Sequence, residues 1–360
     1  MLLTFFTQLS RADSDLYAVL DGGSTGSGRT EVHVLSQSSN YQTFTDHVAT
    51  PLGLFGPNAQ FILGNFAGGT NPDLFTIIAS GSTGSGRTEV HVLSGDSNYQ
   101  TFSLHVATPF PLTTPGNVQF MLGRYSSTSR PDLFIILSGG TTGSGNAEVH
   151  ILSGDSYYQS YALHAALPFG LTPAGTAQFM IGRFASTTRP DLYVVLASGS
   201  TGSGRAEVHV LSGDAYYQSY SLHIATPFPL SAVGATRFSL GDSGAGSKSD
   251  LIATLHDGST GSGHTENHIM SGDSYYQSYT DHVATPLGLF PASNAQIMSS
   301  VGACTDPAAN NFDFLATKND GSCTYTVYGC TDPTATNYNS LANTSDNSCT
   351  YPQPTPPYWP

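Results

Sequence analysis

Charged side chains are scarce in this sequence. Only 10% of the 360 residues are charged, and 11 basic residues stand against 25 acidic ones, which gives a formal net charge of -14 at pH 7. Lysine occurs only at Lys248 and Lys318. A phosphate backbone or an anionic bilayer would be repelled by this balance. We therefore expect no nucleic-acid partner.

Long apolar runs are also missing. No segment approaches the roughly 20 apolar residues that span a bilayer, so we expect no membrane insertion. The opening segment, MLLTFFTQLSRA, has neither the basic start nor the apolar run of a secretory signal peptide. We expect either release by another route, such as lysis, or a chain that begins after processing.

What the sequence does have is a unit of about 59 residues that recurs five times. An Asp-Leu pair begins at Asp73, Asp132, Asp191 and Asp250, at steps of 59, and Asp15 precedes Asp73 by 58. An apolar marker follows the same step at Phe61, Phe120, Phe179, Phe238 and Ile297, and Leu3 stands 12 residues before Asp15 as Phe61 does before Asp73. A fixed repeat of this length indicates a fold built from copies of one structural unit. The markers predict units at about 3–60, 61–119, 120–178, 179–237 and 238–296.

Each unit has four segments of strand character. In the second unit they lie at 61–66, 74–79, 88–94 and 99–107, and apolar residues alternate with polar ones in the last two. No helical periodicity occurs. Four antiparallel strands repeated five times predict an all-β fold, a five-bladed β-propeller over residues 1–298. A linear β-solenoid is the alternative, although its rungs are usually shorter than this unit.

The first two strands of each unit resemble the FG-GAP/VCBS propeller repeats of bacterial and viral surface proteins. The matching stretches read FILGNFAGGTNPDLF from Phe61, with copies from Phe120 and Phe179. In many members of that family this turn reads close to DxNxDGxxD and holds calcium. Most of those carboxylates are missing here, so the resemblance does not imply calcium in the blades.

The composition changes after Ile297. Two shorter units, ACTDPAANNFDFLATKNDGSCTY from Ala303 and GCTDPTATNYNSLANTSDNSCTY from Gly329, occupy residues 299–351, and a proline-rich tail covers 352–360. They resemble the GCTDPxAxNY…DGSCxY repeats of marine bacterial secreted proteins and some phage proteins. So small a unit cannot fold on its own core, so we expect the disulfides Cys304–Cys323 and Cys330–Cys349 and an oxidising exterior. A zinc site would require CxxC clustering, which is absent.

Oxygen-bearing side chains in these small units are candidate calcium ligands. The candidates are Asp306, Asp313 and Asp320 in the first unit and Asp332, Asn339 and Asp346 in the second. Equally, such side chains cap turns in loop-rich folds. Both interpretations stay open at this point.

Histidines recur in register with a glutamate. In the second unit, strand parity puts Glu89, His91 and His105 on one face of the hairpin, and a turn centred near Ser97 would place Glu89 opposite His105. Glutamate and two histidines can bind a metal. We favour a buried polar layer between blades that is paired internally.

The turn after the third strand is the main binding candidate. It reads SGDSNYQ from Ser94, and its copies start at Ser153, Ser212 and Ser271. Aromatic faces pack on sugar rings while carboxylates take hydroxyl hydrogen bonds, so this mixture suits glycans. The candidate residues are Asp96, Tyr99, Asp155, Tyr157, Tyr158, Asp214, Tyr216, Tyr217, Asp273, Tyr275 and Tyr276. The alternative is that these tyrosines fill gaps between blades.

These features together predict a recognition or attachment module that is extracellular or on a virion surface. Repeated rim loops would bind cell-surface glycans weakly and many times over. The alternative is a purely structural decoration or fibre subunit whose partners are other subunits of a virion or filament. We expect the protein not to be an enzyme, because five equivalent copies of each candidate residue leave no asymmetric active site.

Overall fold

The computed structural model describes residues 16–352, apart from a set of short loop segments. The segments left out are 22–25, 36–42, 67, 80–83, 115, 128, 140–141, 174, 187, 198–201, 232–234, 242–247, 256–260, 289–295, 300–301, 305, 307, 311–315, 317 and 320. Within the described part every regular element is a strand, except for two short 3-10 turns at Gly56–Asn58 and Gly95–Ser97.

Twenty strands form five antiparallel sheets of four strands each. Blade 1 contains β1 (Leu16–Leu20), β2 (Glu31–Leu35), β3 (Phe44–Ala49) and β20 (Gln296–Ser299). Blade 2 contains β4 (Ala59–Gly64), β5 (Asp73–Ile78), β6 (Arg87–Leu93) and β7 (Phe102–Pro111). Blade 3 contains β8 (Val118–Gly123), β9 (Asp132–Leu137), β10 (Asn146–Leu152) and β11 (Tyr161–Gly170).

The last two blades repeat the same order. Blade 4 contains β12 (Ala177–Gly182), β13 (Asp191–Leu196), β14 (Arg205–Leu211) and β15 (Tyr220–Pro229). Blade 5 contains β16 (Thr236–Gly241), β17 (Asp250–Leu255), β18 (His264–Met270) and β19 (Tyr279–Gly288). The predicted all-β fold, a five-bladed propeller of four-stranded blades, is confirmed.

Burial along each blade follows the position of its strands. All six residues of β5 are buried, because side chains on both faces of this second strand pack against neighbouring blades. The outer strand β7 is instead exposed or partly buried along most of its length, apart from the buried Thr108 and Phe110. The hydrophobic cores therefore lie between blades. One core, for example, joins Phe134 and Val149 of blade 3 to Val194 and Tyr217 of blade 4.

The ring is closed by the strand that follows blade 5. β20 pairs antiparallel with β1, with Ile297 opposite Ala18, and so becomes the inner strand of blade 1. The sequence placed that inner strand at Leu3, which lies outside the described residues. The inner position next to β1 belongs to the Ile297 segment, and the first and last segments of the propeller thus share one sheet.

A glutamine on the inner strand links neighbouring blades. Gln60 donates from Nε2 to the carbonyl of Phe120 at 2.8 Å and accepts the N–H of the same residue at 3.1 Å. Gln119 makes the same pair of bonds with Phe179. Since the inner strands face the axis rather than each other's edges, these amides supply the hydrogen bonds that sheet pairing cannot.

The two C-terminal units are short loops with one small parallel pair of strands each. In the first, β21 (Gly302–Ala303) pairs with β22 (Lys318–Asn319), and in the second, β23 (Tyr328–Gly329) pairs with β24 (Thr344–Ser345). The disulfides Cys304–Cys323 and Cys330–Cys349 are present, so the predicted pairing is confirmed. Among the described residues, no helix is long and apolar enough to cross a bilayer.

Candidate functional site

The turn between the third and outer strands is built in the same way in blades 2 to 5. In blade 3, Ser153 donates its N–H to Ser160 and receives the N–H of Tyr158, both at 2.9 Å. Tyr157 and Tyr158 both adopt left-handed backbone conformations, with φ of 54° and 62°. Gly154 is required here, because a Cβ at this position would lie 2.3 Å from the carbonyl oxygen of Pro131.

The second aromatic of this turn is buried and cannot contact a ligand. Tyr158, Tyr217 and Tyr276 are 0% exposed, and Tyr99 is 2% exposed. The hydroxyl of Tyr158 donates to the carbonyl of Pro131 at 3.0 Å, and its ring packs on Phe66 of blade 2. Their assignment as glycan contacts is therefore wrong. These four tyrosines fill gaps between blades, which was the alternative interpretation.

The first aromatic of the turn does reach solvent. Tyr157, Tyr216 and Tyr275 are 45%, 50% and 49% exposed. They occupy equivalent positions in blades 3, 4 and 5, whereas blade 2 carries Asn98 there. We call the edge of the propeller that carries these turns the rim. It presents three tyrosine rings from three successive blades.

A cation is held beside each exposed tyrosine. The guanidinium of Arg130 lies 4.4 Å from the ring centre of Tyr157 and 5.1 Å from that of Phe66 in the preceding blade. Arg189 lies between Tyr216 and Tyr125 in the same way, and Lys248 lies between Tyr275 and Phe184. Such contacts each contribute about 0.5–1 kcal/mol at exposed sites. They fix the tyrosine rings from one side. Lys248 was not identified from the sequence as a residue of this rim.

The aspartates of the turn anchor the neighbouring loop. Asp155 accepts the N–H groups of Ser129 and Arg130 at 3.0 and 3.2 Å, and Asp214 accepts those of Thr188 and Arg189. Asp96 accepts the N–H of Asn71 at 3.0 Å, and this bond, with those from Thr70, lowers the pKa of its carboxyl group. Asp273 lies 3.9 Å from the ammonium of Lys248. These four carboxylates are exposed on the rim, but part of their hydrogen-bonding capacity is already used.

The turn between the first and second strands of a blade holds calcium in many FG-GAP/VCBS repeats, but the corresponding turn of this protein does not fit that ion. The carboxylate that this turn retains in blade 3 is the buried Asp132, which accepts the N–H groups of Tyr125, Ser126 and Gly154 at 2.7–2.9 Å. Asp191 makes the equivalent bonds. Backbone donors therefore occupy the oxygens that would bind calcium.

In the C-terminal units, the candidate calcium ligands form local turns. Asp306 accepts the N–H of Ala308 at 2.9 Å and the hydroxyl of Tyr325 at 2.6 Å. Asp332 accepts the N–H of Thr334, Asn339 that of Leu341 and Asp346 that of Ser348. Asp313 and Asp320 lie outside the described residues. In the described part of these units, no three acidic groups converge on one point. Capping of local turns accounts for the hydrogen bonds that these side chains accept.

Each blade also carries a Glu-His-His cluster on its third and outer strands. The five clusters are Glu31, His33 and His47; Glu89, His91 and His105; Glu148, His150 and His164; Glu207, His209 and His223; and Glu266, His268 and His282. In blade 2, His91 lies directly opposite His105, and Glu89 lies opposite Ala107. The predicted pairing of Glu89 with His105 is wrong by two residues. A register shift between Val92 and Leu93 accompanies the difference.

The clusters are open to solvent on one side. Side chains of the outer-strand histidines, such as His105 and His164, are 59% and 60% exposed, while those of His91 and His150 are below 10%. Burial lowers the pKa of His91 and His150. The predicted internal pairing is present between the buried Glu89 and His91, which lie 2.9 Å apart, but the outer-strand histidine of each cluster is not buried. The outer strand has no blade covering its periphery, so one histidine of each pair stays exposed.

No protein-family model matches this sequence, and no curated protein matches it. Similar solved structures exist at low identity. An α-L-arabinofuranosidase from Fusarium graminearum is 14% identical, covers 68% of this chain and 68% of its own, and has a TM-score of 0.40. An exo-β-1,3-galactanase from Phanerochaete chrysosporium is 10% identical over 75% of this chain and 64% of its own, with a TM-score of 0.39.

A third similar structure is BBS1N in complex with ARL6DN, 10% identical over 79% of this chain and 91% of its own, with a TM-score of 0.37. These likenesses concern the fold alone. They nevertheless correct the prediction that the protein is not an enzyme, since an arabinofuranosidase, a galactanase, a sialidase and an arabinase stand among the similar structures.

Proposed function

We propose that this protein is an extracellular recognition module that binds glycans through the repeated turns of its rim. The observation that carries the proposal is the set of three half-exposed tyrosines, Tyr157, Tyr216 and Tyr275, at equivalent positions in successive blades. An exposed ring backed by a cation offers its other face to the C–H groups of a sugar. The neighbouring carboxylates of Asp155, Asp214 and Asp273 would accept bonds from sugar hydroxyls.

Repetition gives such a surface its binding strength. One tyrosine and one carboxylate make a weak site, with a dissociation constant on the order of 1 mM. Three sites that engage one polymer at the same time raise the apparent affinity by about 10²–10⁴-fold. The ligand class we propose is therefore a repetitive surface polysaccharide rather than a single small sugar.

The proposal also includes the relationship of the chain to two repeat families and its location. The FxLG and PDL stretches of the blades support membership of the FG-GAP/VCBS repeats. The two disulfide-linked units support a relationship with the secreted GCTDP repeats. Disulfides persist in oxidising compartments, which supports a location outside the cell or on a virion surface.

Binding to a polysaccharide or glycan array tests the proposal. The triple variant Tyr157→Ala, Tyr216→Ala, Tyr275→Ala is expected to lose the signal of the wild-type protein. A matched control replaces Tyr161, Tyr220 and Tyr279, which are exposed to a similar degree in the same blades but contact the histidines of the third strands. Equal loss in both triple variants, or no binding by the wild type, would refute the proposal.

A structural subunit of a virion or filament is the second candidate. It is supported by the apolar surface of the second C-terminal unit, where Tyr328 is 65% and Leu341 is 78% exposed. Exposed apolar side chains mark an interaction surface where they form a contiguous patch. The native mass of the protein from its source separates the two candidates, because a monomer with no partner contradicts a structural subunit.

A further inference from the structure

We propose that each Glu-His-His cluster binds one divalent transition-metal ion of the zinc or copper class. The structure places the ligand atoms of each cluster within 4.8 Å of one another, and it does so in all five blades. Two imidazoles and one carboxylate form a ligand set that zinc and copper prefer over calcium or magnesium. This inference is independent of the glycan surface.

The spacing of the ligand atoms fits a tetrahedral ion. The Glu89 Oε2 atom lies 2.9 Å from Nε2 of His91 and 3.6 Å from Nε2 of His105. In blade 3 the corresponding distances from Glu148 are 3.1 and 3.5 Å. Ligands bound at about 2.0–2.1 Å in a tetrahedral site lie roughly 3.4 Å from each other. The two glutamate-to-histidine distances in each of these blades therefore lie within about 0.5 Å of the spacing around a bound ion.

The hairpin itself fixes the arrangement. Glu89 and His91 are two residues apart on one strand and therefore share a face, and His105 lies directly opposite His91 on the next strand. The two imidazole rings stand 3.9 Å apart, centre to centre. Because three ligands come from two hydrogen-bonded strands, little conformational freedom is lost on binding.

The glutamate is held by a second set of contacts. Glu148 accepts the N–H and the hydroxyl of Ser144 on its Oε1 atom, at 3.1 and 2.8 Å, while its Oε2 atom faces the histidines. Ser203 makes the same two bonds to Glu207. Metal-binding carboxylates are oriented by such outer hydrogen bonds. The TGSG turn before the third strand therefore positions one metal ligand in each of these two blades.

The outer histidine provides an entry path. Its side chain is about 60% exposed in blade 3, so an ion can reach the cluster without opening a blade. Three protein ligands also leave a coordination position for water or for a group of a bound molecule. The acidic net charge of -14 favours cation approach.

The buried histidines set the expected affinity. The Nδ1 atoms of His91, His150 and His209 are buried without a hydrogen-bond partner among the described residues. Metal-binding imidazoles usually donate their second N–H to an acceptor, and loss of that partner weakens binding about 10–100-fold. We therefore expect sites weaker by that factor than a fully supported zinc site.

Equilibrium dialysis of the untagged full-length protein against zinc chloride, after treatment with chelator, tests the proposal. The wild type is expected to bind five zinc ions per chain, one for each cluster. His105→Gln is expected to lower this number by one, and His105→Gln with His164→Gln by two. These two side chains are exposed, so the variants are expected to keep the thermal stability of the metal-free wild type.

His264→Gln serves as the control, because His264 is an exposed histidine at the start of the third strand of blade 5 and belongs to none of the clusters found among the described residues. It is expected to bind as many zinc ions as the wild type. Glu89→Gln, at the buried carboxylate, is expected to weaken one site in the same way as His105→Gln. Absence of zinc binding, or zinc binding that the variants at His105 and His164 leave unchanged, would overturn the proposal.

Discussion

Replacing Tyr217 with alanine is expected to destabilise the propeller by about 3–5 kcal/mol, whereas the same change at Tyr216 is expected to cost less than about 1 kcal/mol. The two residues are neighbours in one turn, and their φ values of 61° and 54° are alike. The backbone cost of the left-handed conformation is therefore common to both. The comparison isolates the effect of side-chain burial.

The magnitude follows from the contacts. The Tyr217 ring is fully buried and lies 6.1 Å from Tyr125 and 6.4 Å from Phe134 across the blade interface. Its hydroxyl donates to the carbonyl of Pro190 at 3.1 Å. Truncation leaves a cavity and an unpaired carbonyl, while Tyr217→Phe removes only the hydrogen bond and is expected to cost about 1–2 kcal/mol. Tyr216 is half-exposed, and its replacement removes the contact with Arg189 without opening a buried cavity.

Urea unfolding followed by both fluorescence and circular dichroism measures these differences. Coincident transitions from the two probes establish that unfolding is two-state, and a shift of the midpoint at constant slope reports stability. Equal losses for Tyr216→Ala and Tyr217→Ala would refute the argument, because burial would then not distinguish the two positions.

Three further predictions concern ring closure, pH and the rim turn. A chain ending after residue 295 is expected to show faster proteolysis of blade 1 than one ending after Ser299, since only the longer chain keeps the strand that pairs with β1; equal rates would contradict closure by this strand. Burial lowers the pKa of four histidines below 6.5: His91, His150, His209 and His268. The unfolded chain then binds more protons than the folded one below that pH, so stability measured in chelator is expected to fall as the pH drops below about 6.5 and to stay level above it; a level curve throughout would refute this. Gly154→Ala is expected to cost about 1–3 kcal/mol because its Cβ would meet the carbonyl of Pro131, whereas Gly143→Ala, with no atom within 4 Å, is expected to be nearly neutral in thermal unfolding; similar costs at both positions would contradict it.

The repeat predicted the number of blades but not how the ring closes. Leu3 and Ile297 both match the marker of the inner strand, and each could have completed the first unit. The choice between them depends on which segment pairs with β1, and that pairing joins residues about 280 positions apart. Periodicity along the chain carries no information about such a contact.

The two tyrosines of the rim turn could not be distinguished by residue type. Alternation assigns faces within strands, but successive left-handed residues turn Tyr157 outward and Tyr158 inward at a point where the alternation has ended. A signal was nevertheless present in the repeats. The position of Tyr157 is occupied by Asn98 in blade 2, whereas the position of Tyr158 is tyrosine in every repeat. An invariant aromatic residue is what a buried position between blades requires.

For the histidine clusters, alternation along the strands did predict the orientation of the side chains. Parity correctly placed Glu89, His91 and His105 on one face, and the structure brings them together. The partner of Glu89 was missed because the register of the hairpin depends on its turn and on a local irregularity at Leu93. Exposure of His105 was missed because both faces of a blade were assumed to be covered as far as its outer strand.

Counting the oligosaccharides bound to one chain tests the central claim most directly. Native mass spectrometry with an oligosaccharide from the polysaccharide that the protein captures is expected to show up to three bound per chain, one for each of Tyr157, Tyr216 and Tyr275. The triple alanine variant is expected to bind none. A single bound oligosaccharide that persists in the triple variant would contradict the claim that the repeated rim is the binding surface.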